Sequence, residues 1–372
     1  MRKMQYLYSF DDVLLLPKFA DFMPSEANTQ IQLTHNIKLK TPFLSAAMDT
    51  VTEARMAIKM AVLGGIGVIH KNMSINNQCL EITKVKNFQC SGDDGATVDE
   101  NGRLQVLAAI GTHPMDFMRA EKLVIAGVSA LVIDTSHGHS QNVYNTIKKI
   151  KHSFPTMPII AGNIATKESA EDLLKLGVDG LKVGIGPGSI CTTRVVSGVG
   201  VPQISAIMSV YEACRNKNVS IIADGGIKYS GDVAKAISAG ASCVMIGSLL
   251  AGTDESPGEI FEENNKKYKK YRGMGSVEAM QSGSAERYFQ KEGATNLVPQ
   301  GVVGSVLYKG KVEDIVRQIH GGLISAMGYT GNKTIEKMRK DSNFCLVTQS
   351  GVQEGHVHSL SSFKETQNYK TK

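Results

Sequence analysis

Ala130-Leu131-Val132-Ile133-Asp134-Thr135, Pro158-Ile159-Ile160-Ala161-Gly162-Asn163 and Gly180-Leu181-Lys182-Val183-Gly184-Ile185 are three successive apolar runs, each closing on small or polar residues. A stretch of helical pattern separates each from the next. Short, nearly continuous apolar runs read as parallel strands buried on both faces, and a helix between them is the crossover that parallel pairing requires. Working outward, the same pattern recurs at Phe43 to Ala47, Gly65 to His70 and Leu104 to Gly111 on one side, and at Ser220 to Gly226 and Cys243 to Ser248 on the other. Most intervals between runs are 22 to 28 residues, one βα unit each, and two are about 40, so two connections carry extra material. Eight such units predict an α/β fold, the (βα)8 TIM barrel. The helical stretches Glu168 to Leu176, Val210 to Asn216 and Gly231 to Ala239 support it, because each stops at or beside a Gly or Asn.

A chain of 372 residues with 42% hydrophobic content can bury a large core. Its charge is mixed in sign and the net +6 is small, which requires neither nucleic acid nor membrane and suits an anionic small ligand. The densest basic run, Lys266-Lys267-Tyr268-Lys269-Lys270-Tyr271-Arg272, reads first as a solvated surface and second as a means of steering a phosphate. The six cysteines are scattered without a CxxC or a Cys/His ligand spacing, so neither a disulfide framework nor a zinc site is indicated and a reducing compartment is expected. Met1-Arg2-Lys3-Met4-Gln5-Tyr6 leads to the acidic Asp11-Asp12 rather than to an apolar signal core, and no apolar run reaches membrane-spanning length. The expectation is a soluble cytoplasmic protein.

In such a barrel the chemistry sits where strands end and loops begin. Those ends carry Ala47-Met48-Asp49-Thr50, Asp134-Thr135-Ser136-His137-Gly138-His139-Ser140, Gly162-Asn163, Asp224-Gly225-Gly226 and Gly247-Ser248. After the sixth run comes Gly186-Pro187-Gly188-Ser189-Ile190-Cys191-Thr192-Thr193-Arg194. Its glycines and proline bend the backbone sharply, and Cys191 follows the bend, beside two hydroxyls, where a thiolate could act as a covalent nucleophile. The alternative is a buried cysteine serving as a small hydrophobe. The glycine pairs ending runs seven and eight suit a phosphate held by backbone N–H groups, although turns need glycine for their own geometry. His137 and His139 form an HxH without an evident third ligand, which argues against a metal. Asp134 could accept from a ribose. Residues 252–312, rich in Gly, Ser and charge, are expected to form a mobile lid, and Arg287-Tyr288 within it means little by itself.

Taken together, Phe10-Asp11-Asp12-Val13-Leu14-Leu15, Ala47 to Glu53, Gly64 to His70, the Cys191 loop, Ala223 to Ile227 and Tyr271-Arg272-Gly273-Met274-Gly275-Ser276 resemble the inosine-5′-monophosphate dehydrogenase family over nearly the whole chain. The resemblance implies that a cysteine, here Cys191, attacks C2 of the hypoxanthine ring of inosine monophosphate (IMP) while hydride leaves for NAD. A flap then closes and hydrolyses the adduct with an arginine as base and a tyrosine beside it, matching Arg287 and Tyr288, while Thr193 matches a threonine that contacts the water. It further implies that Ser189, Asp224, Gly226, Gly247, Ser248 and Tyr271 hold the ribose phosphate and that Met274, Gly275 and Gln300 hold the base. Asp134, Ser136, Asn163 and Gly184 would line the NAD side, with Ser136 and Tyr329 shaping an adenosine subsite across a subunit interface. A potassium ion would take ligands from Gly186, Gly188 and Cys191 and from Glu354, Gly355 and His356 in the 345–372 tail of a neighbouring subunit of a homotetramer.

An arginine base, on this view, needs a closed site that disfavours its charge. Members of the family commonly insert a tandem regulatory domain of the cystathionine-β-synthase (CBS) type after the second barrel helix. Here a short loop at 90–103 takes its place within a single catalytic domain, so nucleotide regulation through such a domain is not expected. Guanosine-5′-monophosphate (GMP) reductase shares the barrel, the cysteine loop and the phosphate site but has no use for the Arg-Tyr pair. A silent nucleotide-binding barrel would need neither that pair nor Cys191.

Overall fold

The computed structural model describes residues 4–90, 95–291, 293–364, 366 and 369. Eight strands close into one parallel barrel: β1 (Phe43–Ser45), β2 (Ile66–Ile69), β3 (Leu107–Ile110), β4 (Ala130–Asp134), β5 (Ile159–Ile164), β6 (Gly180–Val183), β7 (Ser220–Asp224) and β8 (Cys243–Ile246). Each pairs with its sequence neighbour and β8 returns to β1, with Val244 opposite Phe43. Their side chains are buried almost throughout, as near-continuous apolar strands sandwiched between a barrel interior and a helix layer must be. The eight apolar runs of the sequence are these eight strands.

The layer outside contains α1 (Ala54–Val62), α2 (Ile75–Lys86), α3 (Pro114–Ile125), α4 (Gln141–Ser153), α5 (Lys167–Lys175), α7 (Gln203–Cys214), α8 (Ser230–Ser238) and α9 (Val312–Tyr329), while the short α6 (Thr193–Ser197) belongs to the loop after β6. Ser74 caps α2 by accepting from Asn77 N–H, and Thr166 caps α5 by accepting from Ser169 N–H, each satisfying an orphan donor of the first turn. The helix expected from Val210 begins at Gln203, seven residues earlier. Pro202 is its N-cap, and Ile204, Ile207, Val210 and Cys214 form the buried stripe. At the N-terminal end of the barrel the hairpin Ile31–Thr34/Ile37–Leu39 forms a plug: Gln32 O accepts from Ser220 Oγ (2.9 Å) and Asn36 O from Gln105 Nε2 (3.1 Å).

The long excursion after β8 is partly sheet. β9 (Ile260–Glu263), β10 (Lys266–Arg272) and β11 (Val303–Leu307) form an antiparallel ribbon. The basic run is therefore a strand, and it is not uniformly solvated. Lys269 is only 2% exposed, its ammonium donating to the carbonyls of Thr253 (3.0 Å) and Ser256 (2.6 Å). Arg272 forks onto the Asp49 carboxylate through Nε (3.1 and 3.2 Å) and Nη2 (2.6 Å), which fixes this ribbon to the end of β1. Of the connection expected at 90–103, residues 91–94 lie outside the described part; the rest carries a bridge between Val98 and Leu104. In the C-terminal tail, residues 365, 367, 368 and 370–372 lie outside it.

Candidate active site

The Cys191 loop runs from the end of β6 into α6. Gly186, at φ 75°, takes the left-handed turn that a side chain resists, and a Cβ there would stand 2.6 Å from Arg194 Cγ. Arg194 fills that space and clamps the loop, donating from Nε to Ile185 O (3.0 Å) and from Nη2 to Val201 O (2.6 Å). The Cys191 N–H bonds Gly188 O (3.1 Å), and the thiol lies 3.2 Å from Thr193 Oγ1. Thr192 N–H to Gln300 O (3.0 Å) and Val302 N–H to Ile190 O (3.1 Å) stitch the loop to the segment entering β11. Cys191 is half-buried and faces a cavity at the barrel mouth, so it is not the inert core cysteine that was the alternative.

Behind the cavity lies a buried charge cluster. Lys182, on β6 and 1% exposed, places its ammonium 2.8 Å from Asp134 on β4 and 2.6 Å from Asp224 on β7, and it also donates to Asn163 Oδ1. Asn163 Nδ2 in turn donates to Asp224 Oδ2 (2.9 Å) and Gly184 O (2.7 Å). Sequence reasoning found Asp134, Asn163, Gly184 and Asp224 but missed Lys182. The available signal was a lysine in the middle of an otherwise apolar strand, since such a charge is buried only when paired.

Arg287 and Tyr288 end a short helical turn, Ala285–Tyr288, bracketed by two residues of positive φ, Gly283 (118°) and Phe289 (59°). The turn sits inside the barrel mouth. Arg287 pairs with the Asp134 carboxylate through Nη1, its carbonyl accepts from Ser136 N–H (3.1 Å), and its guanidinium lies 5.9 Å from the Tyr288 ring centre. Tyr288 packs against Gly275, where a Cβ would come within 2.7 Å of Cζ. The Arg-Tyr pair thus lines the same cavity as Cys191 and Thr193.

The electrostatics differ from the expectation of a site that discharges the arginine. Burial alone would lower the basicity of Arg287, but the Asp134 carboxylate outweighs it and raises the guanidinium above its ordinary range. Reciprocally, burial would raise Asp134, yet the charges of Arg287 and Lys182 hold it well below the usual carboxylate range. Burial pushes the Tyr288 phenol upward against the opposing charge of Arg287. In this closed arrangement Arg287 is a firmly held cation.

The cavity measures about 130 Å³, too small for two nucleotide ligands, because Arg287 and Tyr288 fill its β4 side. Asp224, Tyr271, Met274 and Gln300 line it, as do Asp134, Ser136, Asn163 and Gly184 and the loop glycines Gly186 and Gly188. Ser189 and Ser248 face an adjoining cavity of about 430 Å³ that shares Ile190 and Tyr271 with the first. Tyr271 joins the two, with burial pushing its phenol up to about 12. Gly226 (φ 84°) backs onto Phe10 and Gly247 onto the Tyr271 hydroxyl; neither lines the two cavities. Glu354, Gly355 and His356 do not line either cavity; His356 packs on Tyr229 and Tyr369. Tyr329, at the end of α9, is exposed. His139 bonds Asp172 (3.2 Å), and no group of three or more His, Cys, Asp or Glu side chains fit to hold a metal occurs among the described residues. Nor does any helix among them have the length and apolarity to cross a membrane.

A model of the IMP dehydrogenase / GMP reductase domain matches residues 7–358. Among curated relatives, the inosine-5′-monophosphate dehydrogenase of Borreliella burgdorferi is 50% identical over 390 aligned positions, covering 95% of this chain and 96% of the relative. That of Cryptosporidium parvum is 47% identical, covering 97% of each. That of Helicobacter pylori is 41% identical, with 99% of this chain and all of the relative covered. The last alignment spans 482 positions against 372 residues here, so that relative carries internal sequence which this chain lacks.

Proposed function

The chain belongs to the IMP dehydrogenase / GMP reductase family, and from that premise we propose that it oxidises inosine 5′-monophosphate to xanthosine 5′-monophosphate with NAD. The observation that carries the reading is the burial of Arg287-Tyr288 in the same cavity as Cys191, since an enzyme that must hydrolyse a cysteine adduct needs a water-activating pair there and a reductase does not. Cys191 gives up its thiol proton to solvent and Sγ bonds C2 of the purine as the C2=N3 pair moves to N3; that pair returns as the electrons of the C2–H bond leave as hydride to NAD, and a C2–S adduct remains. Water oxygen then bonds C2, the C2–S bond breaks with its electrons to restore the thiolate, one water proton passes to the Arg287-Tyr288 pair and the other ends on N3 of the product. Thr193, 3.2 Å from Sγ, orients that water. Covalent capture divides one difficult step into two easier ones.

The Asp134 contact gives Arg287 two successive duties. While the pair is tight the guanidinium holds the flap shut; as the contact lengthens burial disfavours its charge, the guanidinium gives up a proton to solvent, and the neutral guanidine then accepts one from the attacking water. Asp134 and Ser136, held by Arg287 in the closed state, are the groups NAD would use when the flap is open. The turn between Gly283 and Phe289, within 252–312, is the moving part of that flap, and Ser189, Gly226, Gly247, Ser248 and Tyr271 cradle the phosphate. The Gly186, Gly188 and Cys191 carbonyls belong to one tight turn and are the hard neutral oxygens that suit potassium. Bound there, the ion would brace the nucleophile's loop. Glu354, Gly355 and His356 would complete its shell from another subunit, which makes the working form a homotetramer in the cytoplasm, with Ser136 and Tyr329 meeting adenosine across the interface. Purified protein given IMP, NAD and potassium should generate reduced cofactor by absorbance. No signal under those conditions sinks the dehydrogenase reading, and consumption of NADPH with GMP would replace it with the reductase.

A further inference from the structure

The residue before the Arg-Tyr pair makes contacts that the reaction itself does not use. Glu286 Oε1 accepts from Thr112 N–H (3.2 Å) and Thr112 Oγ1 (3.0 Å), while Oε2 lies 3.4 Å from Lys71 Nζ. Lys71 follows β2 and Thr112 follows β3, so this carboxylate reaches two strand ends beside the one that Arg287 reaches. Lys71, 11% exposed, also faces Asp116 at 3.9 Å. Asp116 is fixed by Arg119 (3.0 Å), which donates onward to Gln78 Oε1 (2.8 Å) and Met73 O (3.2 Å). Of these charged groups, only Glu286 sits on the turn between Gly283 and Phe289; the others are pinned to the barrel.

Gly111 provides independent geometric evidence. A Cβ at that position would stand 2.5 Å from Asp116 Oδ2, 2.7 Å from Lys71 Nζ and 2.9 Å from Glu286 Oε2. The end of β3 is bare where the three charged tips meet. A partly exposed carboxylate is also suited to release, because water re-solvates it at modest cost when the turn lifts, while Lys71 keeps Asp116.

We infer that Glu286, seated on Lys71 and Thr112 in the space left by Gly111, is a latch that holds the flap closed alongside the Arg287–Asp134 pair, a positioning residue for hydrolysis that takes no part in hydride transfer. The inference rests on the dehydrogenase reading for its kinetic consequences but not for its structural ones. In Glu286→Gln, the stopped-flow burst of reduced cofactor should be unchanged while steady-state turnover falls about tenfold, the factor that one charge-assisted hydrogen bond supplies. NAD, competing with the flap, should inhibit at about tenfold lower concentration. Hydrogen exchange of residues 280–290 in the ligand-free protein should quicken by a similar factor, with the barrel strands unaffected.

Lys71→Met should reproduce these effects, and adding it to Glu286→Gln should cost little more, since both changes break one contact. Glu286→Asp, which keeps the charge, should lie nearer the wild type. Burst and turnover falling together, or unchanged exchange at 280–290, overturns the latch. Faster exchange in Glu286→Gln, in a protein that makes no reduced cofactor from IMP and NAD, leaves the latch standing and removes the reaction assigned to it.

Discussion

Replacing Lys182 by methionine removes one ammonium and little volume from the centre of the barrel. The lysine is 1% exposed and touches Asp134 at 2.8 Å and Asp224 at 2.6 Å. Without it Asp134 keeps Arg287, while the partly exposed Asp224 keeps the Asn163 amide at 2.9 Å and loses its nearest counter-ion. Breaking a buried pair by removing one partner costs roughly 3–5 kcal/mol. At about 2.1 cal/mol/K per residue, unfolding 372 residues carries an entropy of roughly 0.8 kcal/mol/K, so the melting temperature should fall by about 4–6 °C.

Thermal unfolding followed by circular dichroism near neutral pH measures this, and a pH series separates lost charge from lost packing. Acid neutralises the carboxylates that Lys182 balances in the wild type, so the gap to the wild type should narrow as the pH falls. A melting temperature within about 1 °C of the wild type, or a gap that widens in acid, would refute the assignment of Lys182 as the shared counter-ion.

Cys191→Ala should abolish the burst of reduced cofactor, whereas Arg287→Ala should keep the burst and stall the following hydrolysis; equal loss of both steps in the arginine variant counts against its role. Asp134→Asn removes the charge that raises the basicity of Arg287, so the rise of the hydrolysis rate with pH should move to lower pH while the KM for NAD increases, and an unmoved profile would contradict the pairing. Asp134 itself has a depressed pKa in the fold, so its stabilisation is complete above the unfolded value of about 3.9 and is lost as the pH falls below it. Wild type and Asp134→Asn should therefore converge in acid unfolding. Phe289→Gly relieves a left-handed residue at the end of the flap turn, worth about 1 kcal/mol, and should make NAD a weaker inhibitor of hydrolysis by several-fold; stronger inhibition would show that the phenyl contact outweighs the strain.

Much of this was legible in the chain itself. The eight strands follow from short apolar runs at βα spacing, because burial on both faces imposes a local and repeating demand on sequence. Cys191 and Thr193 stood out in the sequence as part of a short contiguous motif, whereas the Arg287-Tyr288 pair was singled out only by the family resemblance; the structure lines one cavity with all four. What only the tertiary structure decided is pairing across the barrel. Lys182 looks like an interruption of β6 until β4 and β7 bring Asp134 and Asp224 to either side of it. Lys269 looks solvated until the turn at Thr253 and Ser256 closes over it, and Arg287 becomes a held cation only because Asp134 waits at another strand end. Hydrophobic periodicity is written in neighbouring residues, whereas the state of a buried charge depends on which distant groups the closed barrel places within reach of it.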